Sequence, residues 1–286
     1  TGRCAVTRFF ADMAVNPLLL TGLVGGILAG LACGVMGPYV VTRRVVFLVG
    51  AIAHIVVGGV GAAIFLRHRF ELAWLDPMHG AVVAALLAAF AVGYAQHRAR
   101  ERLDTLIGAM WAIGMAVGIL LVKYTPGYHT EIFSYLFGNI AVVSAADVWL
   151  LAGLNVVILG ALTLYHKRLQ AICLDEEYAA VQGVNVLVTN LLLLALVSLA
   201  VVAMMRVVGL ILVIALLSLP AATAGLLTRR LGAMIGVSTL LCLVLVTAPR
   251  IAVYGTRTSP EAAIVLCAAA LYLLVLGWRQ TRRRRA

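Results

Sequence analysis

The sequence predicts an all-α fold: a polytopic membrane helical bundle of about nine transmembrane helices, forming one transmembrane domain over residues 1–286. Three observations predict it. The chain is 64% hydrophobic and 12% charged; its apolar runs approach the roughly 20 residues that cross a bilayer as an α-helix; and its cations gather in short connections between those runs. The connections are too short to hold a soluble domain.

The first span is Leu18–Val41, where Gly22, Gly26, Gly30 and Gly34 recur every fourth residue beside a second ridge of Gly25, Ala29, Cys33 and Gly37. Small residues at this spacing let helix backbones approach closely, so the stripe reads as packing. Val45–Leu66 follows the Arg43-Arg44 turn and carries His54 about halfway along. Met78–Ala95 ends before the basic run Gln96–Arg102, and Thr105–Val122 returns. Within the next connection, Lys123–Asp147, the segment Ile132–Val143 is too short to span and suits a re-entrant or interfacial helix. Val148–Tyr165 stops at His166-Lys167-Arg168; Val186–Met204, Val207–Leu227, Leu231–Ala248 and Ala262–Trp278 complete the set, followed by a basic tail, 279–286.

Arg43-Arg44, Gln96–Arg102, His166–Arg168, Arg229-Arg230 and the tail all fall on one side of this topology, which the positive-inside rule makes cytoplasmic. The N-terminus is then outside and the C-terminus inside, with Arg67 and Arg69 as outward exceptions. The net charge of +11 therefore reflects topology and anionic headgroups, with no nucleic-acid partner. Cys4, Cys33, Cys173, Cys242 and Cys267 form no CxxC pair, which leaves neither a disulfide framework nor a zinc knuckle. Residues Arg3–Phe10 lack a clean signal-peptide pattern, which leaves trimming of the chain open.

The spans carry no Asp or Glu near their middles; Asp104, Asp147 and Glu261 sit at edges. Ion-coupled carriers keep such a carboxylate, so secondary transport is disfavoured. HExxH, GxSxG and intramembrane Ser/Lys or Asp pairs are missing, so the chain is not read as an enzyme. His54 admits two readings, a transition-metal ligand or a histidine bonded to a neighbouring helix. On the outer side, His68, His79 and His129 accompany Glu71, Asp76 and Glu131, either as a weak transfer or docking site for a divalent cation or as solvated loop charge. Glu261, beside Pro260, faces a pathway or caps the last helix.

Five segments, in order, carry a resemblance: Gly37-Pro38-Tyr39-Val40-Val41-Thr42-Arg43-Arg44 followed by Ala53-His54; Leu103–Gly108; Tyr135-Leu136-Phe137-Gly138-Asn139; Asp175–Asn185; and Gly209–Ala224, ending Leu219-Pro220-Ala221-Ala222-Thr223-Ala224. Together these resemble the zinc, manganese and iron ABC importer permeases over nearly the whole chain. The resemblance implies a fold similar to cobalamin and siderophore permeases lacking a first helix, in a bacterial inner membrane. It also implies a second copy of the chain, cytoplasmic ABC ATPase subunits, and an extracytoplasmic solute-binding protein. No GxxxxGK[ST] loop occurs here, so ATP hydrolysis is expected in a separate subunit.

On this resemblance the stretch 174–185 is the coupling loop, with Asp175, Glu176, Glu177, Tyr178, Ala179, Gly183, Val184 and Asn185 facing the ATPase. It predicts one or two short helices, with Asp175 as N-cap, two Glu in the first turn and Gly183 as the stop. His54 is expected on the translocation pathway. Many members carry an Asp four residues before that histidine, where this chain has Gly50. Losing a hard anionic ligand weakens a Mn²⁺ site more than a Zn²⁺ site, so zinc is favoured, then manganese or iron, as a transported cargo rather than a permanent cofactor. Glycine there also leaves room for a bulkier ligand. A permease for a metal chelate or organic cofactor, its path widened at Gly50, Gly58 and Gly59, is the alternative reading; a channel or scaffold is a third.

Overall fold

The computed structural model describes residues 2–98, 103–125, 138, 143–256 and 258–285. Its helices are α1 (Gly2–Val15), α2 (Pro17–Thr42), α3 (Val46–Phe70), α4 (Pro77–Arg98), α5 (Leu103–Lys123), α6 (Ala145–Leu174), α7 (Glu176–Val181), α8 (Val186–Val208), α9 (Leu210–Leu227), α10 (Leu231–Ala252) and α11 (Pro260–Arg285). Among the described residues nine of them, all but α1 and α7, are long and apolar enough to cross a membrane. The predicted re-entrant segment lies outside the described residues except for Gly138 and Val143.

Three elements depart from the predicted pattern. Ahead of the first span, α1 has 14 residues, too short at 1.5 Å per residue to cross a hydrocarbon core of about 30 Å. It is latched to the α10–α11 connection: Phe9 is buried edge-on against the Tyr254 ring, and the Tyr254 hydroxyl donates to Asp12 at 2.8 Å. The fifth span does not stop at Tyr165. Residues 166–174 are rich in helix formers and contain neither Gly nor Pro, so α6 continues to Leu174 and carries His166, Lys167 and Arg168 on its surface. The connection predicted at Met205-Arg206 is instead the last turns of α8, which ends at Gly209. With φ 78° that residue adopts a backbone that side chains disfavour. Val207, Val208 and Leu210 around it are buried and Gly138 packs against it, so this turn is interior rather than an outer loop.

The most deeply buried span is α3, packed between α4 and α5; α2 packs against α10, α9 and α6. The glycine stripe of α2 works as the spacing predicts. A Cβ at Gly34 would collide with the Thr239 backbone of α10, and one at Gly37 would stand 2.6 Å from the Leu217 carbonyl of α9. Hydrogen bonds gather the C-terminus of α2, the end of α6 and the start of α8 at one end of the bundle, with Gln96 of α4. Arg43-Arg44 and His166–Arg168 belong to that end, called the basic end below. Exposed Phe70, Trp74, Tyr124 and Trp149 ring the opposite end, as aromatic side chains do at a membrane surface.

Candidate functional site

At the basic end the acidic stretch folds into one short helix, α7. The Asp175 carboxylate accepts from the amides of Glu177 and Tyr178, at 2.9 and 3.1 Å, which satisfies two otherwise orphaned donors. At the other end, Val184 N–H bonds to Ala179 O and Gly183 N–H to Ala180 O, both at 3.0 Å. With Gly183 at φ 80° this is a Schellman turn. Asn185 then caps α8 by accepting from Val188 N at 3.1 Å. Two caps thus define the two ends of α7, each from a side chain or backbone geometry readable in the sequence.

What holds α7 against the spans comes from far away in the chain. Arg43, at the C-cap of α2, forms an ion pair with Glu176. The same guanidinium donates to Ile172 O of α6 at 2.8 Å and to Asn190 Oδ1 of α8 at 3.1 Å, and Asn190 donates on to Gln96 Oε1 of α4 at 2.8 Å. One cation therefore ties together the ends of α2, α6, α7 and α8, and through Asn190 that of α4. Ala179 is buried on the inner side of α7, whereas Leu174, Tyr178 and Val181 are exposed, at 72%, 61% and 87%. Leu174 closes α6, and Tyr178 and Val181 lie on α7, so the α6–α7 junction offers a protruding, partly apolar knob with an acidic rim.

The second predicted site lies on α3. His54 is half-buried, and its Nδ1 lies 2.8 Å from the Gly50 carbonyl one turn back. A carbonyl only accepts, so Nδ1 carries the proton and the Nε2 lone pair is left to bind. The indole of Trp111, on α5, lies 4.5 Å from the imidazole ring, and a Cβ at Gly50 would stand 2.8 Å from that indole. The room expected at Gly50 for a bulkier ligand is therefore taken: Trp111 fills it. Sequence reasoning missed Trp111 because nothing local to α5 announces the partner. Among the described residues no three His, Cys, Asp or Glu side chains converge on a common point, so His54 is a single nitrogen donor rather than a closed cage.

The outer candidates are scattered. Glu71 is the left-handed C-cap of α3 at φ 53°. Asp76 caps α4, accepting from Met78 N at 2.8 Å, and its own N–H reaches His79 Nδ1 at 3.1 Å, so the two close a local cap. His129 and Glu131 lie outside the described residues. At α11 the capping oxygen is that of Ser259, 3.4 Å from Ala262 N, and Glu261 occupies the first turn, where it lines a cavity of ≈ 600 Å³ with Ile211, Leu212 and Val265.

A family model described as the ABC 3 transport family matches residues 16–279. The chain is 40% identical over 258 residues, 90% of this chain and 89% of the other, to an uncharacterized membrane protein of Synechocystis sp.. To the manganese transport system membrane protein MntC of Halalkalibacterium halodurans it is 33% identical over 230 residues, 80% of this chain and 76% of the other. Among solved structures, PsaBC from Streptococcus pneumoniae in complex with Fab is similar at a TM-score of 0.83 and 30% identity, covering 94% of this chain and 95% of the matched chain.

Proposed function

Because the chain belongs to the ABC 3 transport family, we propose that it is the membrane permease of an ATP-driven importer for a divalent transition metal, working as a homodimer above separate ATPase subunits. The chain is not itself an ATPase. The basic end is the cytoplasmic one, and an extracytoplasmic solute-binding protein delivers cargo to the opposite end. The observation that carries this reading is the protruding α7, capped at both ends and clamped to α2, α6 and α8 by Arg43. Such an element transmits a push from a soluble partner to several spans as one rigid body.

His54 is the pathway residue, offering Nε2 as a transient donor; one nitrogen binds weakly enough to let cargo leave. Manganese is the metal to test first, then zinc and iron. The Halalkalibacterium halodurans relative is named for manganese, and the lean to zinc that Gly50 prompted finds no support among the relatives described above. The test is reconstitution of the permease with its ATPase and binding-protein partners in vesicles. ATP-dependent Mn²⁺ uptake is expected, with slower uptake after His54→Ala. Uptake that runs without ATP overturns the importer reading, and full-rate uptake by His54→Ala overturns the pathway role alone.

A further inference from the structure

At the basic end, α2, α6 and α10 converge without closing, leaving a cavity of ≈ 430 Å³. Its inner wall is aliphatic, formed by Val35, Leu159, Leu162 and Ile235. Towards the end of the bundle the lining turns polar: Thr163, then the Tyr39 hydroxyl and His166 Nδ1 in contact at 2.8 Å. Gly232 completes the lining, and a Cβ added there meets no atom within 4 Å, so the floor on the α10 side is open space.

Exposed cations adjoin the lining residues in sequence on both the α6 and the α10 side. On α6, Lys167 stands one helical turn beyond Thr163 and is exposed. On the α10 side, Arg229 and Arg230 sit three and two residues before Gly232, at the entry to α10, and are exposed as well. Two of the three acids at the neighbouring α6–α7 junction are engaged elsewhere, Asp175 in capping α7 and Glu176 in pairing with Arg43, while Glu177 lies on α7 outside the cavity lining. The arrangement is graded: hydrocarbon wall below, hydrogen-bonded polar pair in the middle, positive charge at the rim. Its volume lies within the range of about 300–1,000 Å³ of ordinary ligand sites. A soluble anion has no use for the aliphatic wall, and a zwitterionic lipid gains little from the cations.

We propose that this groove is a binding site for one anionic phospholipid of the leaflet at the basic end, its acyl chain against Leu159, Leu162 and Ile235 and its phosphate between Lys167 and Arg229-Arg230. The lipid bridges α6 and α10 across the Tyr39–His166 contact. Tyr39 lies one turn before Arg43, whose N–H bonds to Tyr39 O at 3.0 Å, so occupancy braces the helix end that holds α7.

The test is native mass spectrometry of the purified permease complex, equilibrated with equal amounts of phosphatidylglycerol and phosphatidylcholine. The wild type retains phosphatidylglycerol in preference. Replacing Lys167, Arg229 and Arg230 by Gln weakens retention about fivefold per charge, on the order of 100-fold together. Gly232→Phe fills the groove without a backbone clash and removes retention of either lipid, while thermal stability stays near that of the wild type. Equal retention of the two lipids, or undiminished phosphatidylglycerol in the triple variant, overturns the proposal. So does displacement of the lipid by millimolar inorganic phosphate, or disulfide cross-linking of two copies through Thr163→Cys, which would make the groove a seam between subunits.

Discussion

Arg43→Met and Glu176→Gln remove the two halves of one ion pair, yet the structure predicts very different losses. Glu176 is 50% exposed, so its pairing is screened much as a surface pair is, and its removal costs about 1 kcal/mol. Arg43 is 14% exposed and also donates to Ile172 O and Asn190 Oδ1. Those charge-assisted bonds are worth about 1.5 kcal/mol each at the low end, so Arg43→Met costs about 4 kcal/mol at the junction. Expressed as opening equilibria, that is about fivefold for undocking α7 in Glu176→Gln and on the order of 1,000-fold for separating the ends of α2, α6, α7 and α8 in Arg43→Met. Hydrogen exchange at the amides of α7 and of the α2, α6 and α8 ends measures these openings, and metal translocated per ATP in vesicles measures the coupling. Equal effects of the two substitutions, or an Arg43→Met protein that keeps both slow exchange and full coupling, would refute the clamp.

Gly183→Val forces a β-branched residue into φ 80° with no neighbour nearby, so the cost is backbone strain alone, about 1–2 kcal/mol. Membrane insertion should be unchanged while metal-stimulated ATP hydrolysis falls; unaltered stimulation would count against α7 as the coupling element. Gly50→Asp drives its Cβ into Trp111 and should destabilise by about 1–3 kcal/mol, with partial recovery on adding Trp111→Leu. Strictly additive losses in thermal melts would show that the two positions do not share space.

The spans were legible because lipid solubility is written along the chain: every predicted run corresponds to a helix, most with ends displaced by only a few residues. The errors occur where a local cue competed with helix continuation. Lys167 and Arg168 look like a connection, yet long cationic side chains ride on a helix that leaves the membrane, so α6 runs on to Leu174. Arg206 looks like a loop residue, while the actual stop is Gly209, where the backbone needs a positive φ. Within the site, Asp175 and Gly183 were readable because caps act over two to five residues, while Asn185, expected only as part of the coupling loop, also caps α8. Arg43 could be picked out as part of a motif, but not as the clamp. Its partners Ile172, Glu176 and Asn190 are brought to it by the packing of α2 against α6 and α8. Trp111 was hidden for the same reason.

The 30 residues of α6 make a rod about 45 Å long at 1.5 Å per residue, against a hydrocarbon core of about 30 Å. With no break before Leu174, the surplus of about 15 Å makes α6 a stalk that carries α7 at its tip. The stalk works as a ruler and as a lever. A tilt of about 5° about its far end swings the tip by about 4 Å, and each helical turn added or removed shifts α7 by about 5.4 Å along the axis. The reach of a soluble partner is therefore set by how many residues lie between Tyr165 and Asp175, independently of the chemistry of the knob itself.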